Sequence, residues 1–378
     1  MNIVADADIA FVQEAFSEFG AVELLPGRRI TRETVQDAAV LLVRSVTRVD
    51  RALLDTTAVR FVGTATIGID HVDTDYLAHQ AIGFASAPGS NADSVADYVT
   101  AALVQLAESK RLELQSMTIG IIGVGNVGSR VMARAEALGM RCLCCDPPKQ
   151  RMTGSGMYLP LGNVLEEADI VTLHVPLTAD GEDATVRMAD ERFLRRMKEN
   201  AILINSSRGG VIDEAALRRY RGRLGGFVAD VWEGEPMINL DTLRCADIAT
   251  PHIAGYSFEG KVRGTAMIHE AACAFFFHAP VWRAVRYLGK RPAGRIDVSG
   301  AKKPVYKAVM TAYPIMEDDG RMRMIADTPA EKRGEYFDAL RRSYPKRREF
   351  SHYTVMCDRK HQADADVLKR LGFSVQVK

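Results

Sequence analysis

The sequence predicts an α/β protein: two doubly wound parallel-sheet domains with a cleft between them, followed by a smaller α+β domain at the C-terminal end. Three observations carry this. Short apolar segments alternate with helical stretches over roughly the first 280 residues, which is the rhythm of parallel strands joined by crossover helices. A glycine-rich turn, Gly123-Val124-Gly125-Asn126-Val127-Gly128, separates an apolar strand from a helix near the middle of the chain. At 378 residues the chain is also too long for one core of ordinary size.

The first domain is expected over 1–95, completed by 258–280. Its strands read as Asn2 to Ala7, Val22 to Leu25, Val40 to Val43, Arg60 to Thr64 and Ile82 to Ala85. Ligands in open α/β sheets lie beyond the C-terminal ends of the strands. That rule nominates Arg44-Ser45 after the third strand and the loop Thr66-Ile67-Gly68 after the fourth as substrate-binding residues. Strand-end polar residues are often only turn formers, so position is the whole of this argument. Asp93 to Leu106 reads as the long helix crossing into the second domain.

The second domain, 96–257, is built around Thr118 to Pro148. A buried strand, the glycine turn, a helix and a second strand ending at Asp146 give the order of a Rossmann-like dinucleotide fold. Gly123 allows a tight turn, Gly125 lets backbone approach a pyrophosphate, and Gly128 lets the helix pack on the sheet. Asn126 and Val127 complete the turn at the helix N-terminus, where unpaired amides favour phosphate. Asp146 follows Gly125 at the distance where a carboxylate meets the adenosine ribose hydroxyls, which favours NAD over NADP. Later strand ends supply further cofactor candidates: His174-Val175, Ser206-Ser207 and Gly255. His174 belongs where the nicotinamide should lie, to orient it or line the cleft rather than to act as base.

Three groups lie just past successive strands: Arg208, Glu235 and His252. A histidine accepts a hydroxyl proton near neutral pH. A carboxylate beside it favours the imidazolium and selects the tautomer, and an arginine grips a carboxylate through paired hydrogen bonds. Read singly they are a core histidine and two surface charges; their joint placement points to acid–base chemistry on an anionic substrate.

Composition narrows the classes. Hydrophobic residues make up 47% and charged residues 26%, globular values that exclude disorder. With 49 basic and 48 acidic side chains no polyanion-binding surface is expected, hence no nucleic acid. No membrane span or leader pattern is seen, so cytoplasm is the default. The six cysteines have no metal or redox spacing, and three of them, Cys142, Cys144 and Cys145, crowd one strand as small buried hydrophobes.

The blocks GVGNVG, HVPLT, INSSRGGVIDEAAL, DVWEGEP and ATPHIAG, in this order across Asn2 to Pro280, resemble the D-isomer-specific 2-hydroxyacid dehydrogenase family. The resemblance implies an NAD-dependent enzyme without metal. It places substrate polarisation on Arg208 and the acid–base pair on Glu235 and His252. It also puts Asp230 near the nicotinamide and assigns Thr66 to Gly68 to the substrate carboxylate; Tyr256, where many relatives have a small residue, is expected to bind substrate. The expected substrate is a small anionic phosphorylated hydroxyacid, with its phosphate held by Arg44 and Ser45. Another D-2-hydroxyacid such as 3-phosphoglycerate, an unphosphorylated hydroxyacid, and a non-catalytic dinucleotide-sensing corepressor or binding module remain alternatives.

Residues 281–378 are expected to form a dimerisation domain, since similar enzymes use such a module for a homodimer. A linker is expected at Leu288-Gly289-Lys290-Arg291-Pro292, helices at Val305 to Tyr313 and Ala330 to Arg342, and strands at Met322 to Ala326 and Glu349 to Val355. Arg347-Arg348 reads either as ordinary surface or as reaching a phosphate in the partner's cleft.

Overall fold

The computed structural model describes residues 1–288 and 294–378. They fall into two compact units, the first made of Met1–Asn91 with the chain from Ser257 to residue 288, the second of Ala92–Tyr256 with residues 294–378. Of the expected linker only Leu288 is described, as the end of the short helix Val285–Leu288; the remainder lies outside the described residues.

In the first unit β1 (Asn2–Asp6), β2 (Ala21–Leu25), β3 (Val40–Val43), β4 (Phe61–Thr64) and β5 (Gly83–Ala85) form a five-stranded sheet in the order β2-β1-β3-β4-β5. Every pairing is parallel. β3 and β4 are buried along their whole length, which is why they read as unbroken apolar runs. The helix Phe258–Phe275 packs on this sheet; a side chain at Gly83 would stand 2.5 Å from the Phe275 ring. Glu18 ties the end of the unit together: one oxygen meets the Val281 amide and His278, the other the Trp282 amide and His269. Cys273 lies 3.6 Å from His269, making the metal-capable trio Glu18, His269 and Cys273, but the carboxylate is already occupied by these donors.

The second unit holds β6 (Thr118–Ile122), β7 (Arg141–Cys145), β8 (Ile170–Leu173), β9 (Ile202–Asn205), β10 (Gly226–Ala229) and β11 (Ile248–Ala249), in the order β11-β10-β9-β8-β6-β7. All neighbours are again parallel. The chain leaves β6 in one direction to β7 and returns on the other side as β8, so the topological switch point falls between β6 and β8. The helix Ala92–Lys110, buried along most of its length, opens the unit.

The C-terminal α+β region adds β12 (Gly294–Asp297), β13 (Tyr353–Cys357) and β14 (Ser374–Val377), paired in parallel in that order. Its helices are Pro304–Ala312, Ile315–Arg323, Arg333–Arg342 and Gln362–Arg370. The expected strand at Met322 to Ala326 is instead the end of a helix and a 3-10 turn, Met324–Asp327. Met322 and Ile325 are buried while Met324 is 57% exposed, so the apolar spacing is three residues and not two. Within Glu349 to Val355 a 3-10 turn at Phe350–His352 precedes the strand, which begins at Tyr353. This region shares its core with the nucleotide half: Val309, Tyr313 and Phe350 join Val99, Leu103, Ile253 and Ala254 in one apolar cluster.

Among the described residues no helix is long and apolar enough to cross a membrane.

Candidate active site

The glycine turn sits at the switch point. Gly123 has φ 85°, and a Cβ there would lie 2.5 Å from the His174 carbonyl oxygen. A Cβ on Gly128 would stand 2.0 Å from the Gly123 carbonyl oxygen, so turn and helix close on each other only with glycine at both. Gly125 differs: a side chain there would meet nothing within 4 Å, leaving open space over the N-terminus of the helix Asn126–Ala137. Asp146 follows β7 and caps the next helix through the Lys149 amide, while its other oxygen accepts from the Val124 amide at 2.8 Å.

Two buried polar atoms just past strands of this sheet have no partner among the described residues, Nδ1 of His174 after β8 and Oγ of Ser206 after β9. The Nε2 of His174 is matched to the Thr172 hydroxyl at 2.9 Å. Burial pushes the His174 imidazole down to about 3, so it is neutral at physiological pH. An open glycine face and orphaned polar groups are what a dinucleotide would fill, and the residues fit it: Gly123 to Gly128 for the pyrophosphate, Asp146 for the ribose, and His174, Val175, Ser206 and Ser207 along the strand ends. Gly255 belongs to the turn that follows β11.

Because β9, β10 and β11 are adjacent and parallel, the segments carrying Arg208, Glu235 and His252 emerge from the same edge of the sheet. Two close contacts knit them together. A side chain on Gly209 would be 2.0 Å from the Trp232 carbonyl oxygen, and the Trp232 indole N–H donates to the Thr250 carbonyl at 2.9 Å. Arg208 donates to the Ser207 carbonyl, while Ser207 is fixed by the Asn205 side chain.

Glu235 has one oxygen on the Trp232 amide and the other 2.8 Å from Nδ1 of His252. Burial pushes the Glu235 carboxyl up, but the His252 imidazole, the nearby Arg341 charge and the Trp232 amide outweigh it and hold it below the usual carboxylate range. A carboxylate cannot donate, so the proton of the neutral ring is assigned to Nδ1 and Nε2 keeps its lone pair. His252 is 30% exposed.

The His252 backbone has φ 57°, a left-handed conformation that costs an ordinary residue about 1–2 kcal/mol. Asp230 holds it there. The Asp230 carbonyl accepts from the His252 amide, and its carboxylate takes the amides of Ile253 and Ala254 and the Thr250 hydroxyl, at 2.6 to 2.9 Å. Expected beside the nicotinamide, Asp230 is fully buried with both oxygens turned to the loop.

In the first unit the Thr66 hydroxyl donates to the Gly68 carbonyl and lies 2.8 Å from the Thr64 hydroxyl, which also meets Nε2 of His71, shaping the Thr66 to Gly68 loop. Ile67 is half-buried and Ser45 exposed. Arg44 is engaged by carboxylates: Asp6 at 3.0 Å and Asp8. A basic residue at a strand end therefore serves here first as partner to buried Asp6, a role the sequence pattern did not reveal.

Arg347 corrects a second expectation. It is neither a surface residue nor extended towards a partner; it is 7% exposed inside its own chain, donating to the Ala254 carbonyl and the Ser94 hydroxyl. Tyr256 lies edge-on to Tyr344, with the Arg341 guanidinium 5.7 Å from its ring centre.

A dinucleotide turn at the switch point of a parallel sheet, with a carboxylate-held imidazole at neighbouring strand ends, defines a dinucleotide-dependent oxidoreductase. Residues 92–254 match the family described as D-isomer specific 2-hydroxyacid dehydrogenase, NAD binding domain, and residues 293–372 match a domain of unknown function (DUF3410). The chain is 44% identical to the erythronate-4-phosphate dehydrogenase of Cronobacter sakazakii over 99% of its own length and 98% of that protein, and equally so to that of Salmonella arizonae. Among solved structures, the D-lactate dehydrogenase of Aquifex aeolicus, complexed with NAD and lactic acid, is 26% identical. It superposes with a TM-score of 0.62, covering 73% of this chain and 96% of that one. The chain belongs to the D-isomer-specific 2-hydroxyacid dehydrogenase family.

Proposed function

We propose that this protein is an NAD-dependent dehydrogenase that oxidises 4-phospho-D-erythronate at C2 to 2-oxo-3-hydroxy-4-phosphobutanoate, a step in making pyridoxal 5'-phosphate. The observation that carries the substrate assignment is the likeness to erythronate-4-phosphate dehydrogenases over 99% of the chain, the C-terminal region included. Nε2 of His252 takes the C2 hydroxyl proton. Glu235 stabilises the imidazolium so formed and keeps the ring in the tautomer that can accept. Arg208 binds the substrate carboxylate and steadies the developing carbonyl oxygen. Bound NAD supplies the hydride acceptor; Asp146 disfavours a 2'-phosphate, hence NAD over NADP. Thr66 to Gly68 and Tyr256 are assigned to substrate, with the phosphate on Ser45 and on Arg44 if Asp8 gives way. The protein works in the cytoplasm as a homodimer assembled through its C-terminal region.

Turnover of NAD with a panel of acids tests this: 4-phosphoerythronate, 3-phosphoglycerate, erythronate and lactate. A kcat/KM for 4-phosphoerythronate at least about tenfold above the others is expected, which corresponds to about 1.4 kcal/mol of discrimination. A preference for 3-phosphoglycerate would replace the substrate. NAD binding without reduction by any acid would point to a sensing module.

A further inference from the structure

The loop that carries His252 runs from β11 to Tyr256, and it is held from two sides. The inner side is Asp230, which takes the amides of Ile253 and Ala254 and the Thr250 hydroxyl. The outer side comes from the C-terminal region at three points. Before His252, Asp319 accepts from the amide of Ala249 in the edge strand β11, at 2.8 Å. After it, Arg347 donates to the Ala254 carbonyl at 2.8 Å, alongside the Ser94 hydroxyl at 2.7 Å. At the loop's end the Tyr344 ring meets Tyr256 edge-on, with centroids 6.0 Å apart, and the Tyr344 hydroxyl is fixed on Asp318 at 2.7 Å.

We propose that the C-terminal region is the outer half of a clamp on the His252 loop, and that Arg347 is a positioning residue for the reaction. This rests on the reading of His252 as the base.

Ala254 is the pivot, its amide on Asp230 and its carbonyl on Arg347, so neither half of the clamp can shift without moving the residue two places from His252. A left-handed histidine keeps its backbone only while its neighbours over-determine it. Burying a guanidinium is unfavourable unless its surroundings compensate. Here the Arg347 guanidinium lies 4.2 Å from the Tyr313 ring centre. Asp97 and Asp318 are the carboxylates whose charge it feels, and the Tyr344 hydroxyl faces it as well. Asp97 is shared with Arg134 at 2.7 Å and accepts from the Phe350 amide, anchoring the segment just after Arg347. Only Nη2 of Arg347 has hydrogen-bond acceptors among the described residues, Ala254 and Ser94, while Nε and Nη1 are buried without one, so the hydrogen bonds this guanidinium makes go to the loop and to the serine beside it. The Aquifex aeolicus enzyme aligns over 96% of its length but only 73% of this chain, so this chain carries residues that the shorter fold lacks.

The test uses the full chain with Arg347→Met, Arg347→Lys and Ser94→Ala. NAD affinity, kcat and KM would be measured on phosphorylated and unphosphorylated acids, with hydrogen exchange at residues 252–256. Arg347→Met is expected to bind NAD within about twofold while kcat falls roughly ten- to a hundredfold, the range a misplacement of about 1 Å produces. The fall should be equal on both acids, with faster exchange at Ile253 and Ala254. Arg347→Lys should recover part of kcat, and Ser94→Ala should lose severalfold with the same pattern. If Arg347→Met does not fold, the other two variants decide on the same criteria. Unchanged kcat and exchange in folded variants would overturn the clamp, as would a loss confined to the phosphorylated acid, which would make Arg347 a phosphate ligand. Should the wild type turn over no acid, the functional reading fails by itself, and the exchange rates still decide the clamp.

Discussion

His174 and His252 follow strands of one parallel sheet, and the protein treats them in opposite ways. His174 is buried with a threonine hydroxyl on one nitrogen and no partner among the described residues on the other. Burial alone drives its imidazole down to about 3. His252 is partly exposed and rests on the Glu235 carboxylate. The difference shows that a strand-end histidine is assigned its chemistry by what stands behind it. Buried against a hydroxyl, a histidine stays neutral, and backed by a carboxylate it can carry a proton through a reaction.

The largest effect that would test this contrast is on chemistry. His252→Ala should lower kcat by about 10²–10⁴-fold, the usual cost of removing a general base, with NAD binding by fluorescence titration unchanged. His174→Ala should instead weaken NAD while leaving a larger share of kcat; equal kcat losses with intact NAD binding in both variants would erase the distinction.

Next comes the carboxylate. Glu235→Gln removes the carboxylate that receives the His252 Nδ1–H, so the ring loses its charge partner and its fixed tautomer. The kcat should fall by roughly tenfold or more, less than for His252→Ala, with NAD binding kept. Full activity in this variant would take Glu235 out of the acid–base pair.

The smallest effect is on stability. His174 stays neutral in the fold down to about 3, whereas unfolded chain protonates below its ordinary 6.5. Between those values the unfolded state binds the extra proton, so the native state loses stability as pH falls, by up to about 1.4 kcal/mol per pH unit. His174→Gln lacks this dependence. Comparing urea unfolding of the two proteins at pH 7.5, 6.5 and 5.5, the wild type should lose roughly 1 kcal/mol relative to the variant over the last unit, and a constant difference would show that His174 is not held neutral by burial.

Legibility followed local pattern. All eleven strands of the two large sheets are visible in the sequence, because each is a short apolar run set off by glycine, proline or a charged turn. The Glu235–His252 contact follows from residue type and strand-end position alone. What escaped depended on contacts far apart in the chain. β12 and β14 were missed because Gly294–Asp297 and Ser374–Val377 are half-exposed strands with weak alternation. Met322 to Ala326 reads as alternating until burial shows a three-residue spacing. Arg44 and Arg347 were both read as available cations, since Asp6 lies 38 residues away from the one and Ser94 lies 253 away from the other. A buried charge and a free one look alike in a linear string.

The three thiols of β7 bear on redox behaviour. Burial raises Cys142 to about 12 and Cys145 to about 11, and moves Cys144 in the same direction. Alkylating and oxidising agents attack the thiolate, so at neutral pH these sulfurs are nearly inert while the fold is closed. Cys142, expected to be buried, is only half-buried, whereas Cys144 and Cys145 are buried. β7 is the last named strand of its sheet, with the Leu159 amide on the Cys144 carbonyl, and unpairing it is the local opening that would expose those two. Oxidation of Cys144 and Cys145 is therefore expected to follow fraying of the strand that leads into Asp146. Any ligand that holds Asp146 in place also shields the sulfurs behind it.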